Sequence, residues 1–164
     1  MKSTNTSKRP WNRIDVPVYS LLTRCGDQWN MNIATYVTAV SMQPKRIGIC
    51  VYHGTQTQFN MLAGKPVVLQ LLSCTQYRLV KLLGFQSGKA INKMNKLSKQ
   101  GAVQFWNHYP ILNEALAVME LMPLQMIPAG DHDLWIADVI GWKNLNDGTA
   151  LTLNDLRAHK LIRI

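Results

Sequence analysis

The feature that most constrains this chain is its rhythm of short β-branched and aromatic runs, punctuated by Gly, Pro, Asn and Thr, with only short helical intervals. Val16 to Thr23 alternates weakly and opens the first strand, with Pro17 placing it at an edge or a strand start. Trp29 to Val40 lacks helical spacing and reads as two short strands joined by a turn near Asn32. Arg46 to Tyr52 is nearly all apolar, as in a strand buried on both faces. Val67 to Leu72, Ala115 to Met122 and Leu134 to Gly141 follow as further strands. In the last, Trp135, Ala137 and Val139 oppose Leu134, Ile136, Asp138 and Ile140. Between them lie a short helix over Thr55–Ala63 stopped by Gly64, another over Thr75–Leu83 closed by Gly84, and a basic helix over Lys89–Leu97. Leu151 to Leu156 fits neither period, and Lys160 to Ile164 reads as a closing strand or tail. About six strands without regular strand–helix alternation predict an α+β, mainly β chain: a six-stranded antiparallel barrel with short helices. No Gly-x-Gly-x-x-Gly follows a strand, which argues against a Rossmann domain.

A chain of 164 residues supports one core, assigned to residues 14–164, with the polar, basic residues 1–13 as a mobile tail that drapes over a partner subunit. The formal net charge of +9 invites a nucleic-acid reading. The cations are scattered, however, and the looser group Lys89, Lys93, Lys96 and Lys99 carries no helix-turn-helix, finger or RNA-binding signature. They are assigned to solvated surface, with an anionic small molecule as the second reading and no nucleic acid as partner. Cys25, Cys50 and Cys74 form no pair at metal or redox spacing, and Cys50 reads as a small buried hydrophobe. His53, His108 and His159 have no ligand partner at metal spacing, so no metal is expected. With no signal-like h-region and no membrane-length apolar run, the expectation is a cytoplasmic protein without a membrane partner.

Two sets of residues suit a phosphorylated, planar ligand. Thr35, Thr38, Ser41, Thr55 and Thr57 lie near strand ends or a helix start, where hydroxyls and free N–H groups hold phosphate. Trp29, Met31, Ile33, Ala34 and Tyr36 suit a flat apolar slot. Singly, such residues serve as readily as turn, cap or core positions. Gly130-Asp131-His132 sets a histidine at a strand start, a position equally common for capping residues. No Gly-x-Ser-x-Gly elbow or catalytic carboxylate pair is present.

In order and spacing, these residues resemble the flavin reductase-like, FMN-binding split-barrel family. The resemblance is carried by Asn32 to Ser41 with the Ser41-Met42-Gln43-Pro44 turn, and by Thr57 to Ala63 ahead of Val67 to Leu72. Gln76 to Leu83, Phe85-Gln86-Ser87-Gly88-Lys89 and Gly130-Asp131-His132 continue it. It implies a homodimer of split barrels binding FMN, with FAD also accommodated, near the subunit interface. On that pattern Asn32, Ile33, Ala34, Thr35, Ala39, Val40 and Ser41 hold ring and ribityl chain, and Thr57, Ser87 and Lys89 the remainder. His132 matches the family position beside a nicotinamide, and the implied activity is hydride transfer from NAD(P)H to flavin, with a monooxygenase as possible partner. The alternatives are a flavoredoxin-like electron carrier without NAD(P)H turnover, or a split barrel that binds another ligand such as haem. Three positions depart from the pattern: Ile33 replaces a Thr, Gln70 an Asn, and the segment after Val139 lacks the usual Pro-Leu-x-Tyr ending.

Overall fold

A computed structural model of the chain describes residues 9–162. Its strands are β1 (Tyr19–Cys25), β2 (Gln28–Ala34), β3 (Val37–Ser41), β4 (Arg46–Tyr52), β5 (Val67–Leu71), β6 (Val103–Trp106), β7 (Tyr109–Leu112), β8 (Ala117–Ala129) and β9 (His132–Asn144). The helices are α1 (Gln56–Met61), α2 (Val80–Gly84), α3 (Lys93–Lys99) and α4 (Leu153–Ala158); a 3-10 turn over Cys74–Leu79 leads into α2.

Seven strands form one antiparallel sheet in the order β2-β1-β5-β8-β9-β4-β3. Its two end strands, β2 and β3, are consecutive in the chain and joined by Thr35 and Tyr36 alone. That link spans about 11 Å at full extension, so the sheet must curl until its edges nearly meet. It becomes a barrel left open between β2 and β3. The main sheet has seven strands rather than the expected six, and Trp29–Val40, read as two strands, supplies both of its edges. The expected turn near Asn32 is not there: Asn32 pairs with Leu21 in mid-strand, and the chain turns at Thr35–Tyr36.

Strand periodicity divides the core in two. Leu21 pairs with Leu69 and points into the barrel with Ile49, Leu121, Trp135 and Ala137; Met61 of α1 joins them. The neighbouring pair, Leu22 and Val68, points outward under α2, α3 and the β6–β7 hairpin, among Met31, Leu83, Leu97 and Ile111. The strands β1 and β5 are therefore covered on both faces. The hairpin β6–β7 was not legible as strands, because each strand is short, Pro110 interrupts the pattern, and the turn depends on Asn107 at φ 54°. Gln70, the departure noted above, is buried here: its amide oxygen accepts from Leu112 N (2.7 Å) and its nitrogen reaches Met31 Sδ (3.6 Å), tying β5 to the outer layer.

Other boundaries shift for local reasons. The first strand begins at Tyr19, since Pro17 makes only an isolated bridge to Thr152. The basic helix begins at Lys93, where Asn92 accepts from Asn95 N as its cap. Leu153–Ala158 is helical behind a Thr152–Asp155 capping box. The chain then turns at Lys160 instead of forming a closing strand, and residues 163–164 lie outside the described residues. Of the predicted tail, residues 1–8 also lie outside them; Pro10–Arg13 forms a 3-10 turn, and Asn12 O accepts from Arg157 Nη2. Among the described residues no helix is long and apolar enough to cross a membrane.

Candidate functional site

The gap between the sheet edges opens on a cavity of about 600 Å³. One wall is β2 and its link, contributing Asn30, Asn32, Ile33, Ala34, Thr35 and Tyr36. Cys50 N donates to Tyr36 O (2.9 Å), which fixes the link against β4. Cys50 and Tyr52 lead along that strand to the start of α1, where Thr55, Gln56 and Thr57 form the second wall. Leu83 to Gly88 close the third, with Lys93 at depth and His53 and His132 at the rim.

The start of α1 is held by its own polar side chains. Thr55 accepts from Gln58 N (3.2 Å) and donates to Tyr52 O (2.8 Å). Gln56 donates to Asn60 Oδ1 (2.7 Å), and Asn60 to Thr23 Oγ1 (3.0 Å), fastening the helix over β1. Buried Thr57 accepts from Asn30 Nδ2 (3.2 Å), so its hydroxyl proton is still available to donate. In the lining of the same cavity, the Asn32 side-chain oxygen is buried without a hydrogen-bond partner. Such an atom costs stability unless a ligand or water donates to it.

The rim carries two histidine–aspartate pairs, with both aspartates supplied by the β8–β9 hairpin. Gly130 takes the first position of its two-residue turn at φ 74°, a conformation that favours glycine. His132 Nδ1 lies 2.6 Å from Asp131 Oδ1, and its ring sits between Tyr36 and Tyr52, with centroids at 5.3 and 5.1 Å. A carboxylate at Nδ1 selects the tautomer protonated there, leaving Nε2 as the free atom. The hydrogen bond from His132 holds the Asp131 carboxyl below the usual range. Next to it, Asp133 is buried, accepts from Gln58 Nε2 (2.7 Å), and pairs with His53 Nε2 (3.0 Å). The Gln58 bond first, then His53, depresses that carboxyl.

Pairing of β4 with β9 places Cys50, Gly48 and Arg46 opposite Leu134, Ile136 and Asp138, with Tyr52 opposite His132. These pairs form one row on the outer face of the barrel, beginning at the cavity and ending in the Arg46–Asp138 ion pair (2.8 Å). Ile127 lies opposite Leu134, and Val40 approaches Gly48 beside Leu134 and Ile136. Among the described residues no helix covers this face, unlike that of β1 and β5. The expected small buried Cys50 is in fact half-buried in the cavity wall, where desolvation pushes its thiol up.

Of the residues singled out in the sequence, Asn32, Ile33, Ala34, Thr35, Tyr36, Thr55, Thr57, Ser87 and His132 are brought together. Ala39, Val40 and Ser41 are not: at strand rise Ala39 lies about 10 Å beyond Tyr36 along β3. Lys89 borders a second, neighbouring cavity instead. Trp29 lines that cavity too, and Met31 is fully buried in the core. Sequence reasoning missed Asn30, Gln56 and Lys93. The first two carry no distinctive pattern, and Lys93 falls among the cations assigned to solvated surface although it is only 4% exposed.

The model of the flavin reductase like domain matches residues 11–160, nearly the whole chain. The chain belongs to the flavin reductase family. A high molecular weight rubredoxin of Moorella thermoacetica is 26% identical over 140 residues, covering 82% of this chain; the chain spans 58% of that relative's length. Among solved structures, an FMN-binding protein from Thermus thermophilus with bound p-hydroxybenzaldehyde superposes with a TM-score of 0.76 at 23% identity, covering 93% of this chain and 90% of the other. The NADH:FAD oxidoreductase of Streptomyces globisporus superposes with a TM-score of 0.73 at 16% identity, covering 85% and 81%. These likenesses show the split-barrel fold.

Proposed function

We propose that this chain binds FMN, or FAD, in the cavity between its sheet edges and transfers hydride from NAD(P)H to it. The observation that carries the reading is the wall itself: the unpartnered Asn32 oxygen and the free Thr57 proton face a slot bounded by Ile33, Leu83 and Phe85. An isoalloxazine with its ribityl hydroxyls supplies both the donor that Asn32 lacks and a flat apolar face. A bound flavin supplies two-electron chemistry at its ring. The protein's own residues bind and orient. His132 presents Nε2 to a nicotinamide carboxamide at the rim, with Asp131, Tyr36 and Tyr52 fixing the imidazole. Conversion of two bound partners into a positioned pair is the main contribution to rate, and no acid–base dyad is needed.

The family membership supports this reading, as do an FMN-binding and an NADH:FAD-acting protein among the structural neighbours. The bare outer face next to the cavity supports a homodimer, because Leu134, Ile136, Ile127 and Val40 would otherwise leave a continuous apolar strip in water. A partner oxygenase that consumes reduced flavin and a cytoplasmic setting complete the proposal.

The test is the visible spectrum of the purified protein mixed with FMN or FAD, followed by anaerobic NADH or NADPH. Flavin uptake with bleaching that slows in His132→Ala is the expected result. Failure to take up either flavin refutes the reading. Uptake without bleaching by either nucleotide refutes the reductase step and leaves an electron carrier.

A further inference from the structure

Residues 28–113 contain nine lysines and arginines and no aspartate or glutamate, so the whole formal net charge of +9 falls in this stretch; outside it, nine cations match nine acids. Six of the nine lie between Arg78 and Lys99, in and around α2 and α3. The exclusion of acids reaches positions where they would help. The helix dipole favours a carboxylate in the first turn, and α4, outside the stretch, has Asp155 there. The first turns of α1, α2 and α3 have none. The same dipole favours lysine in a last turn, as with Lys96 and Lys99, but it accounts for neither Lys89 nor the missing acids.

Two of the six are otherwise engaged. Lys93 turns inward: it donates to Leu83 O (2.6 Å) and Met31 O (3.1 Å), and no carboxylate pairs with it among the described residues. Arg78 donates to Tyr77 Oη (3.2 Å) and shares the lip of a small cavity with Glu114. Lys81, Lys89, Lys96 and Lys99 remain, all exposed and, among the described residues, without an ion pair. They flank the flavin cavity. Lys96 Nζ donates to Gln86 Oε1 (3.5 Å), and Gln86 lines that cavity beside the exposed Phe85. Lys89 borders the second cavity, which meets the first at a seam where a Cβ on Gly88 would overlap Asn30 Oδ1.

An ammonium is a compact, hydrated point charge on a flexible stem, whereas the guanidinium fork is the group suited to phosphate. Four lysines without an arginine therefore suit carboxylates met in a brief, reversible encounter better than a nucleic-acid backbone. Encounters between redox proteins are of that kind: small in area and guided by complementary charge. We infer that the α2–α3 face is the docking surface for an acidic, electron-accepting protein, held by Lys81, Lys89, Lys96 and Lys99 with Phe85 as the apolar contact at the cavity mouth. This rests on the flavin reading above and goes beyond it by giving the surface, and the charge of the protein that takes the electrons.

The test uses cytochrome c in two forms: native, which is basic, and succinylated, in which the lysines end in carboxylates. Binding is followed by sedimentation at a haem wavelength. Electron transfer is followed by stopped flow from the flavin-loaded protein reduced with dithionite; two ferric haems are reduced per dihydroflavin, one electron to each iron, and two protons pass to water. At low salt, wild type should reduce the acidic form faster than Lys96→Glu/Lys99→Glu by about tenfold or more, and salt at about 0.3 M should erase most of that difference. The native form should lose nothing in the variant, which should still take up flavin. Equal rates and equal binding of the acidic form by wild type and variant overturn the inference. So does a wild-type rate for the acidic form that salt leaves unchanged, an arm that needs no variant to fold. A short DNA duplex that binds wild type more tightly than the acidic form does, and is released by the same variant, overturns it in favour of nucleic acid. Should wild type take up no flavin, the flavin reading fails; binding of the acidic form that the variant loses then sustains the docking surface, and absence of that binding overturns it.

Discussion

Replacing Lys93 by Met gives a test of the buried charge that is independent of any ligand. Desolvation holds the ammonium at about 8 against an ordinary 10.5. That difference corresponds to about 3 kcal/mol of folding free energy. The sign follows from proton binding. Between about pH 8 and about pH 10.5 the unfolded chain holds the lysine proton and the folded chain has released it. Stability from this group therefore rises with pH across that window, and below it the buried charge weighs against the fold in full. At neutral pH the variant gains by losing the charge but leaves the Leu83 and Met31 carbonyls without their donor, at about 1–3 kcal/mol each. The two effects nearly offset, so the melting temperature at neutral pH does not discriminate. The pH slope does. Urea unfolding followed by tryptophan fluorescence from about pH 7.5 to about pH 10.5 should show wild type gaining up to about 3 kcal/mol relative to Lys93→Met. Tyrosine and cysteine titrations occur in both proteins and cancel in the difference. Parallel stability curves would refute the claim that Lys93 is a desolvated, uncompensated cation.

Two further perturbations probe the cavity walls. Gly88→Ala places a methyl group against Asn30 and breaks its bond to Thr57; the expected cost is about 1–3 kcal/mol, a fall of about 3–10 °C in Tm, with weakened flavin uptake. An unchanged melting curve and unchanged uptake would show that the seam is not tightly packed. Leu134→Glu puts a charge in the bare outer row between Cys50 and Ile127. Sedimentation should then report the mass of one chain where wild type gives two, whereas a wild-type monomer would remove the dimer from the proposal.

What the sequence determined by itself was whatever depends on local pattern. The β-branched runs fixed β4 and β5, because strand periodicity and punctuation by Gly64 act over a few residues. Thr55 and Gly64 bounded α1 in the same way. Nine of the residues singled out for the site meet in one cavity, since the link from β2 to β3, the start of α1 and the Gly130 hairpin are each local devices. Tertiary structure decided the rest. Only the strand order brings the two sheet edges within a two-residue link, and so converts Thr35–Tyr36 from a turn into the mouth of a site. Only the pairing of β4 with β9 sets Tyr52 against His132 and leaves one outer face uncovered. The fate of Lys93 shows the limit most clearly. A lysine in a basic helix has the same local signature whether it faces water or a cavity wall, and the choice was made by α2 and β2 closing over it.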